Sequence, residues 1–207
     1  MDEVLGEIIS QRCPLERKSG VYTGQAAVLI LLVPSEGATE GGLEIVLTQR
    51  AEHLRTHAGE VAFPGGMWEL GDADLAATAL RESWEEVGVS PEQVELLGSL
   101  PACETRQGIR VTPYIAHIQS VGILSANRDE LDSLFTVPLA YLLGDPRIRT
   151  DVFSRQGRKW HVPVYEYRSD GCSCGQIYTI WGFTAAVLVD FLNVGLRAEI
   201  NLRPWQV

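Results

Sequence analysis

The chain of 207 residues is 45% hydrophobic and 21% charged, a composition that excludes wholesale disorder and suits one globular domain with a core that needs no disulfide or metal staples. Asp plus Glu number 27 against 17 for Lys plus Arg, a formal net charge of −10, which opposes binding to long nucleic acids and to anionic membranes. A small phosphorylated ligand would therefore need local basic side chains or divalent cations to overcome the background field.

In chain order, residues 2–12 have the apolar spacing of a short amphipathic helix. The stretch from Gly24 to Pro34 reads as a buried strand; its apolar run is about half of what a membrane span needs. A Gly/Glu-rich loop, Ser35 to Gly42, leads into a second strand from Leu43 to Thr48, giving a hairpin. Leu54 to Gly66 is mostly loop, with Val61-Ala62-Phe63 extended before Pro64-Gly65-Gly66. Asp74 to Val87 has the clearest helical periodicity, and Gly88 is placed to end it. Strands follow at Val94–Leu100 and Arg110–Gln119, then a mixed stretch to Leu143, a polar hairpin over Val152–Tyr167 and a last helix over Gly182–Leu192. Intermixed strands and helices predict an α/β or α+β class with a mixed sheet. Residues 1–20 are expected to be a helical extension, and 21–207 the domain itself.

Chemistry concentrates in Arg81-Glu82-Ser83-Trp84-Glu85-Glu86-Val87-Gly88. Positions i, i+3 and i+4 of a helix are neighbours, so Glu82, Glu85 and Glu86 are expected on one stripe. Like charges at this spacing repel. The bland alternative is a solvated surface face; the sharper one is a hard divalent cation, Mg²⁺ or Mn²⁺, held by oxygen ligands. Arg81 can pair with one of these carboxylates and fix its rotamer. Gly65-Gly66 lets the backbone turn tightly and offers a bare carbonyl or amide to a metal or a phosphate.

The segment from Gly66 to Val89 resembles the Nudix box, G-x5-E-x7-R-E-u-x-E-E-x-G-u, where u is a bulky apolar residue. Its core from Arg81 to Gly88 is intact. Asp72 stands where the box has Glu, Arg81 arrives one residue later than the strict spacing, and Ser83 occupies a position usually aliphatic; no role is assigned to Asp72. The resemblance implies an α/β/α sandwich around a mixed sheet. It also implies hydrolysis of a nucleoside diphosphate derivative, with Mg²⁺ or Mn²⁺ on Glu82, Glu85 and Glu86 and with Gly66 contributing backbone. Upstream, Leu47-Thr48-Gln49-Arg50 through Leu54-Arg55-Thr56-His57 to Val61-Ala62-Phe63-Pro64-Gly65-Gly66 is similar to LLTxRxxxLRxHxGxVxFPGG. That pattern marks the subgroup acting on coenzyme A and its acyl derivatives. Gly108 to Pro113 and Trp181 to Ala185 resemble later segments of the same subgroup.

Coenzyme A carries a diphosphate and a separate 3′-phosphate, so its reader needs cationic donors away from the metal. Arg50, Arg55 and His57 are the candidates, each with a surface ion pair or loop-orienting role as the alternative. Phe63 could stack on adenine, although an extended apolar triplet more often packs into a core. Asp129, Glu130 and Glu104 could lend a further carboxylate from a loop, as Nudix enzymes often do. Cys172-x-Cys174 lacks a second pair at zinc spacing and reads as a polar loop. His117 and His161 are expected to be structural, Trp84 and Trp181 to be packing residues. Four scattered cysteines, Cys13, Cys103, Cys172 and Cys174, and no signal-like pattern at Met1-Asp2-Glu3 point to a reducing cytoplasm. A small-molecule substrate completes the expectations, with a homodimer as one option for the assembly.

Overall fold

The computed structural model describes residues 3–17, 20–35, 42–122, 124–155, 158–169 and 175–202. Its elements are α1 (Glu3–Arg12), β1 (Gln25–Pro34), β2 (Leu43–Arg50), β3 (Val61–Ala62), β4 (Gly65–Met67), α2 (Leu75–Val87), β5 (Glu95–Ser99), β6 (Cys103–Glu104), β7 (Arg110–His117), β8 (Leu131–Pro138), α3 (Leu139–Leu143), β9 (Arg147–Arg155), β10 (Arg158–Arg168), β11 (Ile177–Ile180) and α4 (Gly182–Asp190). A π-helical turn, Phe191–Gly195, continues α4. The expected loop at Cys172 and Cys174 lies outside the described residues.

β1 organises the main sheet. It runs parallel to β7, from Gln25 opposite Arg110 to Leu32 opposite His117. On its other side the partner changes along its length: the first half pairs with β4 (Ala27 opposite Gly66) and the second half with β2 (Leu32 opposite Ile45). β2 also pairs with β8 and β3, and β7 with β5 and β6, all antiparallel. The sheet is therefore mixed, as expected. A second sheet, in the order β11-β10-β9, is wholly antiparallel. The hairpin expected from Val152 to Tyr167 thus extends at both ends and gains a third strand.

Strand alternation distributes β1 between two apolar layers. Ala27, Leu29, Leu31 and Val33 pack with Leu75, Ala76 and Ala79 of α2 on one face. Ile30 and Leu32 pack on the other with Ile9 of α1, Tyr165, Tyr178, Ile180 and the side chains of α4. Each fully buried aliphatic contributes about 1.5–3 kcal/mol relative to exposure, so this one strand ties both layers together. The N-terminal helix is part of that core, since Ile9 is 0% and Cys13 1% exposed. Among the described residues no helix is long and apolar enough to cross a membrane.

Candidate functional site

α2 is delimited by its own sequence. Asp74 caps its start, its carboxylate accepting the Ala77 N–H at 2.7 Å, and Gly88 ends it in the left-handed conformation. Between these caps the acidic stripe divides. Successive side chains rotate by about 100° around a helix, so Glu85 and Glu86 leave it in different directions. The Glu86 side chain is 5% exposed and that of Glu82 is 17% exposed, whereas Glu85 is 53% exposed and bonds Arg81 Nη1 at 3.1 Å. The stripe expected of Glu82, Glu85 and Glu86 thus divides into an inner pair with a flanking third.

The inner pair lies against β4, where the glycines matter for opposite reasons. A Cβ on Gly66 would stand 2.5 Å from the Glu82 carboxylate, so the absent side chain makes room for that acid. A Cβ on Gly65, whose φ is +148°, would stand 2.3 Å from the Ala27 carbonyl on the neighbouring strand. Gly65 N–H donates to Glu86 Oε2 at 3.1 Å. The other oxygen, Oε1, faces Arg50 Nη1 at 3.8 Å, too far for a hydrogen bond. Arg50 Nε is itself buried without a partner among the described residues.

Burial pushes the Glu86 carboxyl up to about 7, reinforced by the charges of Glu82 and Glu130 and only partly opposed by Gly65 N–H and Arg50. Burial likewise raises Glu82 despite its bond with Arg81. Glu130 acts on both acids, and nothing in its spacing marks it. It is delivered by backbone bonds: Asn127 N–H to the Glu86 carbonyl at 2.8 Å, and Ala51 N–H to the Glu130 carbonyl at 2.8 Å. Glu104 belongs to β6, at the edge of β7.

Arg81 finds its main partner in Asp72, the residue left without a role. Nε and Nη2 bond the two oxygens of Asp72 at 2.9 and 3.1 Å, while Nη2 also reaches Met67 O and Glu82 Oε1. Asp72 is 8% exposed and would be raised by burial. Arg81, the Glu69 N–H and the Thr78 hydroxyl overcome that and hold its carboxyl below the usual range. Arg81 is raised in turn, chiefly by Asp72. Ser83, in the position expected to be aliphatic, is buried and donates to Ala79 O at 2.7 Å.

The other candidates separate. His57 sits in the left-handed region at φ 57°, with Nδ1 2.7 Å from Glu60, on the exposed loop between β2 and β3. Arg55 is exposed on the same loop and forms no ion pair among the described residues. Phe63 is 3% exposed within the core, which leaves its ring no free face for a base and corrects the stacking expectation. Trp84, expected to pack, is 57% exposed.

The donor chemistry fits a hard cation: carboxylate oxygens on a helix, bare glycine backbone opposite, and buried acids whose neutralisation by the protein is incomplete. As the side chains stand, Arg81 holds Glu82 and Glu85, and among the described residues no three ligating groups are gathered around one point. Glu82 would have to release Arg81, whose charge Asp72 already balances.

Comparison with known proteins agrees with this arrangement. The NUDIX domain profile matches residues 23–160. The chain is 39% identical over 176 residues, 84% of each chain, to the uncharacterized Nudix hydrolase NudL of Salmonella paratyphi B, and equally to that of Salmonella newport. In fold it is similar to a MutT/nudix family protein from Enterococcus faecalis, with TM-score 0.50 and 18% identity, over 93% of this chain and 73% of that one. With a family profile over most of its length and relatives this similar, the chain belongs to the Nudix family.

Proposed function

We propose that the chain is a divalent-cation-dependent hydrolase that cleaves the diphosphate bridge of coenzyme A or an acyl-coenzyme A. The products would be adenosine 3′,5′-bisphosphate and (acyl-)4′-phosphopantetheine. The observation that carries this reading is the pair of the half-buried Glu82 and the buried Glu86, pressed against side-chain-free backbone and left with incomplete compensation. Glu82, Glu86 and backbone at Gly66 would hold Mg²⁺ or Mn²⁺, with Glu85 or Glu130 from the flank. Once bound, the cation supplies Lewis acidity toward phosphoryl oxygen and a lowered pKa for bound water.

The chain's own residues do the rest. Arg81, anchored on Asp72, sets the position of Glu82 and limits repulsion along the helix. Glu85, or Glu86 in place of its ligand role, accepts the proton of the attacking water. Arg50 stands beside Glu86 and offers a guanidinium to the diphosphate once a cation takes over that carboxylate. Arg55 and His57, on the loop that begins just after Arg50, are assigned to the 3′-phosphate. The resemblance of residues 47–66 to the coenzyme A pattern supports that choice over other nucleoside diphosphate derivatives.

A substrate panel of coenzyme A, acetyl-coenzyme A, NADH, ADP-ribose and dNTPs, with Mg²⁺ or Mn²⁺ and products resolved by mass, tests the reading. Preferred cleavage of the coenzyme A compounds is expected; preference for ADP-ribose or NADH would overturn the substrate but keep the chemistry. Arg55→Ala should raise KM for coenzyme A about tenfold, about 1.4 kcal/mol, while leaving dephospho-coenzyme A almost unchanged. Equal effects on both would remove the 3′-phosphate role.

A further inference from the structure

β9 is the outer strand of the three-stranded sheet, paired on one side with β10. Its outer edge forms no backbone hydrogen bond among the described residues. None of its described side chains is buried, and Ile148 and Val152 are 49% and 53% exposed. An edge of this kind is a template for another strand along its regular part, from Arg149 onward; at Ile148 a β-bulge interrupts it.

The register settles which backbone groups point outward. Thr150 stands opposite Pro163, which has no N–H to give. Thr150 is therefore in the pair whose members do not bond each other, and its N–H and C=O face away from β10. By alternation, Val152 presents its backbone groups on the same outer side, while at Ile148 a β-bulge interrupts the ladder, Val164 pairing with Arg149 and Tyr165 with Arg147.

We infer that β9 pairs antiparallel with β9 of a second copy of this chain, about a two-fold axis at Thr150. In this register the two Thr150 residues exchange hydrogen bonds, and Val152 of each copy lies toward the Ile148 end of the other, where the bulge closes the pairing. On the opposite face Arg149 meets Asp151 of the other copy, in both directions. Those two side chains already share an ion pair at 3.0 Å within the chain, both remain accessible, and pairing turns them into a ring of two arginines and two aspartates. Moving the axis by one residue sets two copies of Arg149, or of Asp151, face to face. Charge thus selects the register as well as the partner. The paired chains share a continuous six-stranded sheet.

The test is sedimentation velocity of the full chain over a concentration series, with circular dichroism to verify folding. A reversible dimer is expected. Thr150→Pro removes an N–H used only between copies and should weaken the dimer at least about tenfold. Arg149→Asp and Asp151→Arg should each weaken it, and the double exchange should restore it. A monomer at every concentration, or a dimer indifferent to Thr150→Pro and to both single exchanges, would overturn the inference.

Discussion

α2 and the turn leading into it carry two pairs of acids that the protein treats differently. Near its start, Asp72 and Asp74 are 8% and 5% exposed and fully engaged: Asp72 by Arg81, Thr78 and the Glu69 N–H, Asp74 by the Ala77 N–H and by Arg17 at 2.8 Å. One helical turn past Thr78, the half-buried Glu82 and the buried Glu86 have fewer donors, and both are raised where Asp72 is lowered. The first pair is architecture, made stable by donors folded in for it. The second stores an electrostatic deficit, and a deficit facing bare backbone is what a cation-dependent site requires.

Substitutions that erase or invert this contrast follow in order of expected effect. Glu86→Gln should cut turnover roughly 10³-fold, about 4 kcal/mol in the barrier; a rate within about threefold of the parent would remove Glu86 from the chemistry. Gly66→Ala places a methyl in the space of the Glu82 carboxylate, the movable end of a side chain. Activity should fall roughly 10²-fold with thermal stability nearly retained. Gly65→Ala, which meets backbone instead, should lower Tm markedly, and a reversed order of the two would contradict the packing described. Asp72→Ala should unfold at lower denaturant, with about 3 kcal/mol lost because Arg81 is left without its main partner; its effect on turnover should be the smaller one.

The pH dependence of the metal-free protein sharpens the contrast further. The Glu86 carboxyl lies at about 7 against an ordinary 4.5. Below the lower value both folded and unfolded chains hold the proton. Between the two only the folded chain does, so stability falls as pH rises toward 7 and stays low beyond it. Metal-free Glu86→Gln should therefore be more stable than the parent at pH 8, by on the order of 1–3 kcal/mol, with the gain vanishing near pH 4.5. Denaturant titrations at the two pH values measure it; a gain confined to low pH would reverse the assignment.

α2 was legible in the sequence because its signals are local: an Asp cap, apolar spacing, a terminal glycine. β1, β2 and β7 were legible as apolar runs. β4 was not, since Gly65-Gly66-Met67 has little strand preference of its own and is a strand only because β1 accepts it as a partner. Glu130 was legible only as one of three loop carboxylates and Asp72 was given no role, for a related reason: tertiary backbone bonds and a nine-residue reach across a loop bring them to the site, and neither leaves a periodic trace. Helical spacing brought the glutamates together, but the burial of Glu86 and the exposure of Glu85 depend on which side β4 covers.

Mn²⁺ titration of the purified protein, followed by electron paramagnetic resonance at pH 8 and pH 6, tests the central claim most directly. A stoichiometric site is expected at pH 8, weaker at pH 6 as Glu86 takes up its proton, and lost in Glu86→Gln. Equal Mn²⁺ affinity in the parent and the variant at both pH values would contradict it.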